Sequence, residues 1–380
     1  MERISKRKRK KILNQHKLYM HRCLDLAKLA ACNVAPNPMV GAVLVYNEKI
    51  VGEGYHKKFG EAHAEVNCIN NVKDEDRNFI KKSTLYVSLE PCSHFGKTPP
   101  CTDLIIKNKI PKVVIGCKDV YTEVDGKGIK KLQDAGIEVI TGVLEKECVE
   151  LNKRFFTFHQ QQRPYIILKW AESANVKISS PPTPLHKWRG EPLPQPSPQV
   201  GSELYARTFI SNEFTNRLVH KWRSEEAAIL IGTNTALQDD PSLTTRLWHG
   251  NNPVRLVIDI NLRLPSNLKI FNKETKTIIF NKQKHEEDGN LIFYKIKEEG
   301  LLTQMMKAIY ELQIQSVLVE GGAILLQSFI DAGLWDEARI IHNEELIIIN
   351  GINSPELKNA LLQKQENYFS DTISYFLPSS

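Results

Sequence analysis

The chain has 380 residues, of which 41% are hydrophobic and 25% are charged. These proportions are typical of a folded globular protein and exclude a disordered or fibrous chain, and the length predicts about two domains. No run of about 18 apolar residues is present, which excludes a membrane-spanning helix, and the N-terminus lacks the apolar core of a secretory signal. Seven cysteines, an odd number, argue against a disulfide framework and favour a cytoplasmic protein.

The net charge of +7 is concentrated at the N-terminus, where residues 1–11 carry seven lysines and arginines against Glu2. We interpret residues 1–16 as a disordered basic leader, since a terminal charge block needs no ligand to exist. The alternative is an arm that binds RNA or another nucleic acid, which would give steeply salt-dependent affinity. The nearly neutral charge of the other residues argues against a nucleic-acid partner.

The first half of the chain predicts alternating strands and helices. Helical periodicity over 17–31 ends at Pro36-Asn37-Pro38. The pattern then predicts strands over 40–45 and 49–51, a helix over 61–69, a strand over 84–89, a helix over 102–108, a strand over 112–116, a helix over 129–135 and a strand over 137–140. Alternation of this kind indicates a three-layer α/β sandwich, which we assign to residues 17–160.

A candidate metal site lies within this domain. His63 and Glu65 form an H-x-E motif, which Pro91-Cys92 and Cys101 follow downstream. One imidazole and two thiolates can hold zinc and leave its fourth position open for water, as catalytic zinc sites do. Glu65 is placed to move a proton between that water and a leaving group. This combination is the signature of zinc-dependent nucleobase deaminases.

Four segments of this half resemble the deaminase domain of the bifunctional riboflavin-biosynthesis deaminase/reductases, a domain with a cytidine-deaminase-like fold. They are Pro36–Gly41, Gly52–His56, His63–Glu65 and Glu90–Cys101. The resemblance covers about residues 18–160, and its specific mark is the nine-residue spacing of the two cysteines.

A sugar-phosphate substrate needs cations and hydrogen-bond donors close to the metal. The loop between the cysteines supplies His94, Lys97 and Thr98. The family uses the position of Asn37 for substrate binding, and an amide there offers both a donor and an acceptor. The family's Asp-Pro-Asn-Pro segment reads Asp119-Val-Tyr-Thr122 in this chain, so its Asn is replaced by Tyr121.

The second half predicts another α/β domain, over residues 164–362, after a polar linker that ends at Pro164. In order, the pattern predicts a strand over 165–170, a helix over 213–223, strands over 227–232, 254–259 and 277–280, a helix over 301–312, a strand over 316–320 and a helix over 323–331. Residues 363–380 read as a polar tail without an assignable function.

Two segments of this half, 232–246 and 319–323, look like the reductase domain of the same bifunctional enzymes. The resemblance implies an α/β fold like that of dihydrofolate reductase and the use of NADPH. A strand that runs into Gly321-Gly322 at a helix start offers backbone amides to a phosphate. The absence of a GxGxxG motif is consistent with a cofactor site unlike the Rossmann type.

The resemblance also assigns site residues by position. NADPH contacts are implied for Ala171, Thr235, Asp239, Gly322, Ala323, Ile324, Leu325, Leu326, Gln327 and Ser328. Substrate contacts are implied for Lys169, Arg207, Arg223, Leu243, Arg246 and Glu320. The two arginines Arg223 and Arg246 suit a phosphate group.

Departures from the family pattern are concentrated around the reductase substrate pocket. The Ser-x-Asp-Gly segment of the family reads Ser173-Ala-Asn-Val176, and Phe209 replaces a tryptophan. A proline-rich insertion lies between these two positions, over 179–203. Its composition predicts an extended or disordered segment. A deaminase with a degenerate reductase domain is therefore an alternative interpretation.

The favoured prediction is a cytoplasmic bifunctional enzyme of riboflavin synthesis that uses Zn²⁺ and NADPH. It would deaminate a diaminopyrimidinone ribosylamino phosphate and then reduce the ribosyl group to ribityl. The expected partners are this small-molecule substrate and, by resemblance to the family, further copies of the chain in a homo-oligomer. A membrane partner is not expected.

Overall fold

The computed structural model describes residues 2–95, 99–120, 126–179, 210–297, 299–349 and 351–379, with the backbone alone for residues 2–12 and 179. The chain divides into two compact units. The first comprises residues 1–164 and 307–315, and the second comprises 165–306 and 316–380. The division after Pro164 falls where the sequence predicts the end of a linker.

The first unit is an α/β unit. Its helices, within the described ranges, are α1 (Glu2–Lys28), α2 (Ala64–Asn70), α3 (Cys101–Lys107), α4 (Lys127–Asp134), α5 (Glu145–Leu151) and α6 (Lys153–Gln161), with a 3-10 helix over Asp74–Lys82. Its strands are β1 (Gly41–Tyr46), β2 (Lys49–Tyr55), β3 (Thr84–Leu89), β4 (Lys112–Cys117) and β5 (Glu138–Ile140). They form one sheet in the order β2-β1-β3-β4-β5.

This sheet is covered by helices on both faces, because alternate residues of β1 are buried on opposite sides. Val43 and Val45 pack in a cluster with residues of α1, α5 and α6. Ala42 and Leu44 pack in another with residues of α2, α3 and α4. Strand periodicity of two thus produces the predicted three-layer sandwich. Gly41 permits the close approach of α1, since a Cβ there would lie 2.0 Å from the carbonyl oxygen of Cys23.

The second unit is built on a larger sheet. Its helices, in the part of the chain described, are α7 (Glu213–Glu225), α8 (Thr233–Asp239), α9 (Leu301–Glu311, shared with the first unit) and α10 (Ala323–Asp331), with a 3-10 helix over Lys269–Phe271. Its strands are β6 (Tyr165–Glu172), β7 (Lys177–Ser179), β8 (Ala228–Gly232), β9 (Val254–Ile258), β10 (Thr277–Asn281), β11 (Glu286–Asp288), β12 (Leu291–Lys295), β13 (Ser316–Glu320), β14 (Glu337–Asn343), β15 (Ile352–Asn353), β16 (Ala360–Tyr368) and β17 (Asp371–Pro378).

The strands of the larger sheet run in the order β11-β12-β10-β9-β8-β13-β6-β14-β17-β16, and β7 pairs with β15 separately. In this sheet order, all neighbouring strands from β12 to β14 are parallel. The carboxyl ends of these strands therefore share one edge of the sheet. In this register Glu320 lies beside Lys169. Helix α7 packs Val219 and Trp222 against buried residues of β6, β13, β14 and β17, which brings its neighbouring side chains to that edge.

Two sequence-based assignments at the ends of the chain differ from the structure. The predicted leader is the first part of α1, whose backbone is helical from Glu2, because lysine and arginine are good helix formers once a helix is nucleated. The segment assigned as a tail forms most of the antiparallel pair β16–β17, and β17 adds to β14. Apolar residues alternate at Ile373 and Tyr375, as expected of a strand. The polar residues that precede them make this pattern hard to recognise in the sequence.

Among the residues described, no helix combines the length and apolarity needed to cross a membrane. The predicted insertion over 179–203 lies outside the described residues except for Ser179.

Candidate active sites of the two units

Three different elements deliver the side chains of the candidate metal site. His63 is the N-cap residue of α2, which begins at Ala64 and not at residue 61 as predicted. Cys92 follows β3 in the loop, and Cys101 is the first residue of α3. Because β3 is a central strand and both helices begin at its carboxyl end, the three ligand atoms meet there.

The geometry of these atoms fits zinc. Nδ1 of His63 lies 3.7 Å from Sγ of Cys92 and 3.4 Å from Sγ of Cys101. Tetrahedral zinc with ordinary Zn–N and Zn–S bonds requires an N···S separation of about 3.6 Å. All three ligand atoms lie within 4.8 Å of one another. One ion can therefore bind all three side chains.

The pKa values of the two thiol groups are shifted in opposite directions. Hydrogen bonds from Cys101 and His63 lower the pKa of Cys92 to about 4. The Cys101 thiol donates to Cys92 and is buried, so its pKa is raised. Zn²⁺ binding would therefore have to displace the thiol proton of Cys101 and the Nδ1 proton through which His63 donates to Cys92.

Glu65 lies on the first turn of α2, beside these ligands, and is 3% exposed. Burial, together with the neighbouring Cys92, raises the pKa of its carboxyl group. A raised pKa brings a carboxyl group closer to the range in which it both accepts and returns a proton.

A cavity of about 390 Å³ opens at this site, and its lining includes Asn37, His63, Glu65 and His94. Such a volume lies within the usual range for a small-molecule site. Predicted residues Asn37 and His94 are therefore brought to the metal ligands. The predicted residues Lys97 and Thr98 lie outside the described residues, as does Tyr121.

His56 also lines this cavity, although the sequence motif that contains it did not identify it as a site residue. Its ring binds the carbonyl oxygen of Ala62 through Nδ1 (3.1 Å) and approaches Nδ2 of Asn37 through Nε2 (3.2 Å). With Nδ1 donating to a carbonyl, Nε2 is the acceptor, and the Asn37 amide group is oriented with its oxygen away from His56. The sequence signal that could have identified His56 is its place at the end of the Gly52–His56 motif, directly after β2.

Glu90, which precedes the Pro91-Cys92 segment, was also missed. Its carboxylate accepts backbone N–H groups of Gly126 (3.1 Å), Gly128 (3.0 Å) and Ile129 (3.1 Å), and it is 3% exposed. Gly128 must lack a side chain, since a Cβ there would lie 2.1 Å from the carbonyl oxygen of Pro91. The start of α4 is thereby fixed against the segment that carries Cys92.

In the second unit, the predicted substrate residues Lys169, Arg223 and Glu320 form one cluster at the carboxyl edge of the parallel strands. Arg223 donates to both carboxylate oxygens of Glu320, at 3.0 and 2.7 Å. Burial would raise the pKa of Glu320, but the charges of Arg223 and Lys169 lower it to about 2. Burial also lowers the pKa of Lys169. Glu320 is therefore an anion that holds the two cations in place.

Arg223, Leu243 and Arg246 line a second cavity of about 460 Å³ next to this cluster. Leu243 is buried with φ of 53°, and the turn it begins presents Arg246. Cationic side chains on two sides of such a cavity suit an anionic group. The predicted residue Arg207 lies outside the described residues, as does Phe209.

Two of the predicted cofactor residues, Thr235 and Gly322, meet at the start of α10. The N-cap residue Gly322 provides no side-chain cap, so the backbone N–H groups of Ala323 and Ile324, at the first two positions of the helix, are available to a phosphate. The backbone N–H of Gly322 donates to Oγ1 of Thr235 at 3.1 Å, which joins the start of α8 to the turn. Asp239 ends α8 and Ala171 lies near the end of β6. The remaining predicted residues, Ala323 to Ser328, follow within α10.

The departures at Asn175 and Val176 are accommodated without loss of the turn after β6. Asn175 donates from Nδ2 to the carbonyl oxygen of Ile348 (2.8 Å) and accepts from the backbone N–H of Ile348 (3.1 Å). An amide can perform both roles, whereas a carboxylate only accepts. Val176 adopts the left-handed conformation, with φ of 58°.

Comparison with known proteins matches both units. Residues 13–117 match the family model of the cytidine and deoxycytidylate deaminase zinc-binding region, and residues 164–345 match that of the RibD C-terminal domain. The riboflavin biosynthesis protein RibD of Aquifex aeolicus is 38% identical over 95% of this chain and 98% of its own length. RibD of Escherichia coli is 33% identical over 85% of this chain and 86% of its own length.

Solved structures agree along nearly the whole chain. The diaminohydroxyphosphoribosylaminopyrimidine deaminase/5-amino-6-(5-phosphoribosylamino)uracil reductase of Thermotoga maritima is 31% identical, with a TM-score of 0.81, covering 96% of this chain and 99% of that one. RibD of Acinetobacter baumannii is 27% identical, with a TM-score of 0.82 and coverage of 96% and 99%.

Proposed function

Since this chain belongs to the RibD family of bifunctional riboflavin-biosynthesis deaminase/reductases, we propose that its two units act in sequence on one diaminopyrimidinone ribosylamino phosphate. The chain uses zinc in its deaminase unit and NADPH in its reductase unit. The predicted cytidine-deaminase-like fold and C-terminal reductase fold are confirmed. The proposal rests on one observation above others, the meeting of His63, Cys92 and Cys101 around one point beside Glu65.

In the deaminase unit, His63, Cys92 and Cys101 would hold the zinc ion, which supplies Lewis-acid activation of the attacking water. We assign proton transfer to Glu65, which would take the proton of that water and deliver it to the departing amino group, so that ammonia leaves and a carbonyl replaces the amine. The amide of Asn37, oriented by His56, would accept from a donor on the substrate.

In the reductase unit, the turn at Gly322 and the side chains of Thr235 and Asp239 would hold NADPH, whose hydride reduces the ribosyl carbon. Lys169 would lie by the reacting sugar, kept in place by Glu320. Arg223 and Arg246 would attract the substrate phosphate to the cavity that they line.

One experiment separates the full proposal from its alternatives. The purified full-length chain, with its zinc content measured, is incubated with the diaminopyrimidine substrate with and without NADPH. We expect ammonia release in both cases and one NADPH oxidised per ammonia when the cofactor is present. Ammonia release without NADPH oxidation would support a deaminase with a degenerate reductase unit, and no ammonia release from a zinc-loaded chain would overturn the proposal.

We also propose that the chain acts in the cytoplasm as a homo-oligomer. Two of its cysteines, Cys92 and Cys101, are the proposed metal ligands, and thiolate ligands of this kind suit a reducing compartment. The family resemblance supports assembly through the reductase unit. Light scattering on the purified chain tests the assembly, and a monomer at micromolar concentration would contradict it.

A further inference from the structure

The reductase cavity contains a histidine with no role in the proposed function. Asn216, His220 and Arg223 recur every three or four residues along α7, and all three line this cavity. Residues with that spacing share one face of a helix. Arg246, on the opposite wall, belongs to the turn that begins at Leu243.

His220 joins these two walls. Its Nδ1 accepts the backbone N–H of Arg246 at 3.0 Å, and the residue is 2% exposed. Because Nδ1 is the acceptor, the ring proton must be on Nε2. An apolar residue at this position would fill the same space but leave the Arg246 N–H without this acceptor.

The surroundings keep this acceptor available. Burial and the positive charges of Arg223 and Arg246 lower the pKa of His220 to about 4. The imidazole is therefore neutral near neutral pH, and Nδ1 keeps the lone pair that the hydrogen bond requires.

Other contacts fix the turn to its own side of the cavity. Leu243 is buried in the cluster below the turn, and the backbone N–H of Thr245 donates to Oδ1 of Asn252 at 2.8 Å. Neither contact reaches α7. The bond from Arg246 to His220 ties the turn to the helix carrying Arg223, and His220 also forms a hydrogen bond with the backbone of Thr244. Farther along the same loop, Lys221 of α7 lies over the ring of Trp248.

We propose that His220 is a positioning residue of the reductase, which sets the place of Arg246 relative to Arg223 through the Arg246 backbone. This inference rests on the proposed reductase function. His220 would touch neither substrate nor cofactor in this role. It would act on substrate affinity through the guanidinium group of Arg246.

The test compares His220→Leu with His220→Asn in the full-length, zinc-loaded chain. Leucine has no acceptor, whereas the Oδ1 of asparagine can take the place of Nδ1. For His220→Leu we expect the KM for the deaminated substrate to rise about tenfold, equivalent to about 1.4 kcal/mol, with kcat and the KM for NADPH changed less than about threefold. His220→Asn should recover most of the loss.

Arg217→Gln is the matched control, because Arg217 is an exposed residue of α7 outside the cavity. It should leave all three constants unchanged. Deaminase activity of the same preparations, with circular dichroism, shows whether each variant is folded.

A double-mutant cycle with Arg246→Ala separates positioning from general structural support. If His220 acts through the Arg246 side chain, His220→Leu should raise the substrate KM no further once that side chain is absent. An unchanged KM in folded His220→Leu, a failure of His220→Asn to recover it, or additive effects in the cycle would overturn the inference. A wild-type chain that oxidises no NADPH would instead refute the reductase function itself.

Discussion

At the scale of single residues, Glu65 combines burial with a position next to the three proposed zinc ligands. We predict that Glu65→Gln lowers ammonia release by at least about 10²-fold, because an amide cannot carry the proton, while zinc content stays the same. Metal analysis and an ammonia assay measure the two quantities. NADPH oxidation with the deaminated substrate is the internal control, and ammonia release at the wild-type rate would remove Glu65 from its role.

Glu320 gives a pH-dependent prediction for stability. The folded-state pKa of this carboxyl group, about 2, lies below its ordinary value of 4.5. The contribution of the carboxylate to the free energy of unfolding is therefore complete above pH 4.5 and is lost as the pH falls through about 2. Between pH 6 and pH 3 the free energy of unfolding of the wild type should decrease by about 2 kcal/mol more than that of Glu320→Gln. Denaturant titrations at each pH measure the difference. Parallel pH dependences in the two proteins would contradict it.

At the scale of elements, the turn after β6 contains a β-branched residue in the left-handed region, since Val176 has φ of 58° and is half-exposed. Glycine adopts this conformation without the steric cost. We predict that Val176→Gly raises the free energy of unfolding by about 1 kcal/mol after the entropy cost of glycine. Thermal unfolding tests this, with Val176→Ala as a control that keeps Cβ and should gain less. A lower Tm for the glycine variant would contradict the prediction.

The start of α4 offers a second test at this scale. In Gly128→Ala, the new Cβ would meet the carbonyl oxygen of Pro91 at 2.1 Å and displace the Cys92 segment from α4. We predict weaker zinc retention under a chelator and at least about tenfold lower deaminase activity, since misplaced ligands weaken metal sites. Lys130→Ala, an exposed change on the same helix, should have no effect. Wild-type zinc retention in Gly128→Ala would show that α4 does not support the site.

At the scale of the whole molecule, the C-terminal hairpin is part of the reductase unit. Asp371, at the start of β17, accepts from the backbone N–H of Asn212 at 2.8 Å and from the hydroxyl of Thr215, and so anchors the start of α7. Asp371 is fully buried, and β17 pairs with β14 along the sheet. The hairpin therefore supports the helix that carries Arg223.

We predict that a stop codon after Glu356 abolishes NADPH oxidation and leaves ammonia release within about twofold of the wild type. Removal of β16 and β17 would expose the edge of β14 and leave α7 without its anchor. Both activities are measured on the purified truncated chain. Gln363→Ala, an exposed change within β16, is the control and should keep both activities. Full reductase activity in the truncated chain would contradict this role.

The sequence by itself determined the two α/β units, the family and the candidate zinc site. His63, Glu65 and Cys92 lie in short motifs at strand and helix ends, where local periodicity and spacing carry the signal. It also predicted the gathering of Lys169, Arg223 and Glu320, but only by resemblance to the family. The assigned roles of these residues stay predictions that the experiments above test.

The tertiary structure decided what depends on contacts between distant segments. Glu90 binds backbone groups up to 39 residues away, His220 meets Arg246 across 26 residues, and Asp371 meets Asn212 across 159. Sequence periodicity reports which face of an element is buried, but not which backbone N–H group a buried polar side chain will bind. The hairpin of β16 and β17 was predicted as a polar tail for the same reason. Its formation as a strand pair depends on the sheet edge that β14 provides.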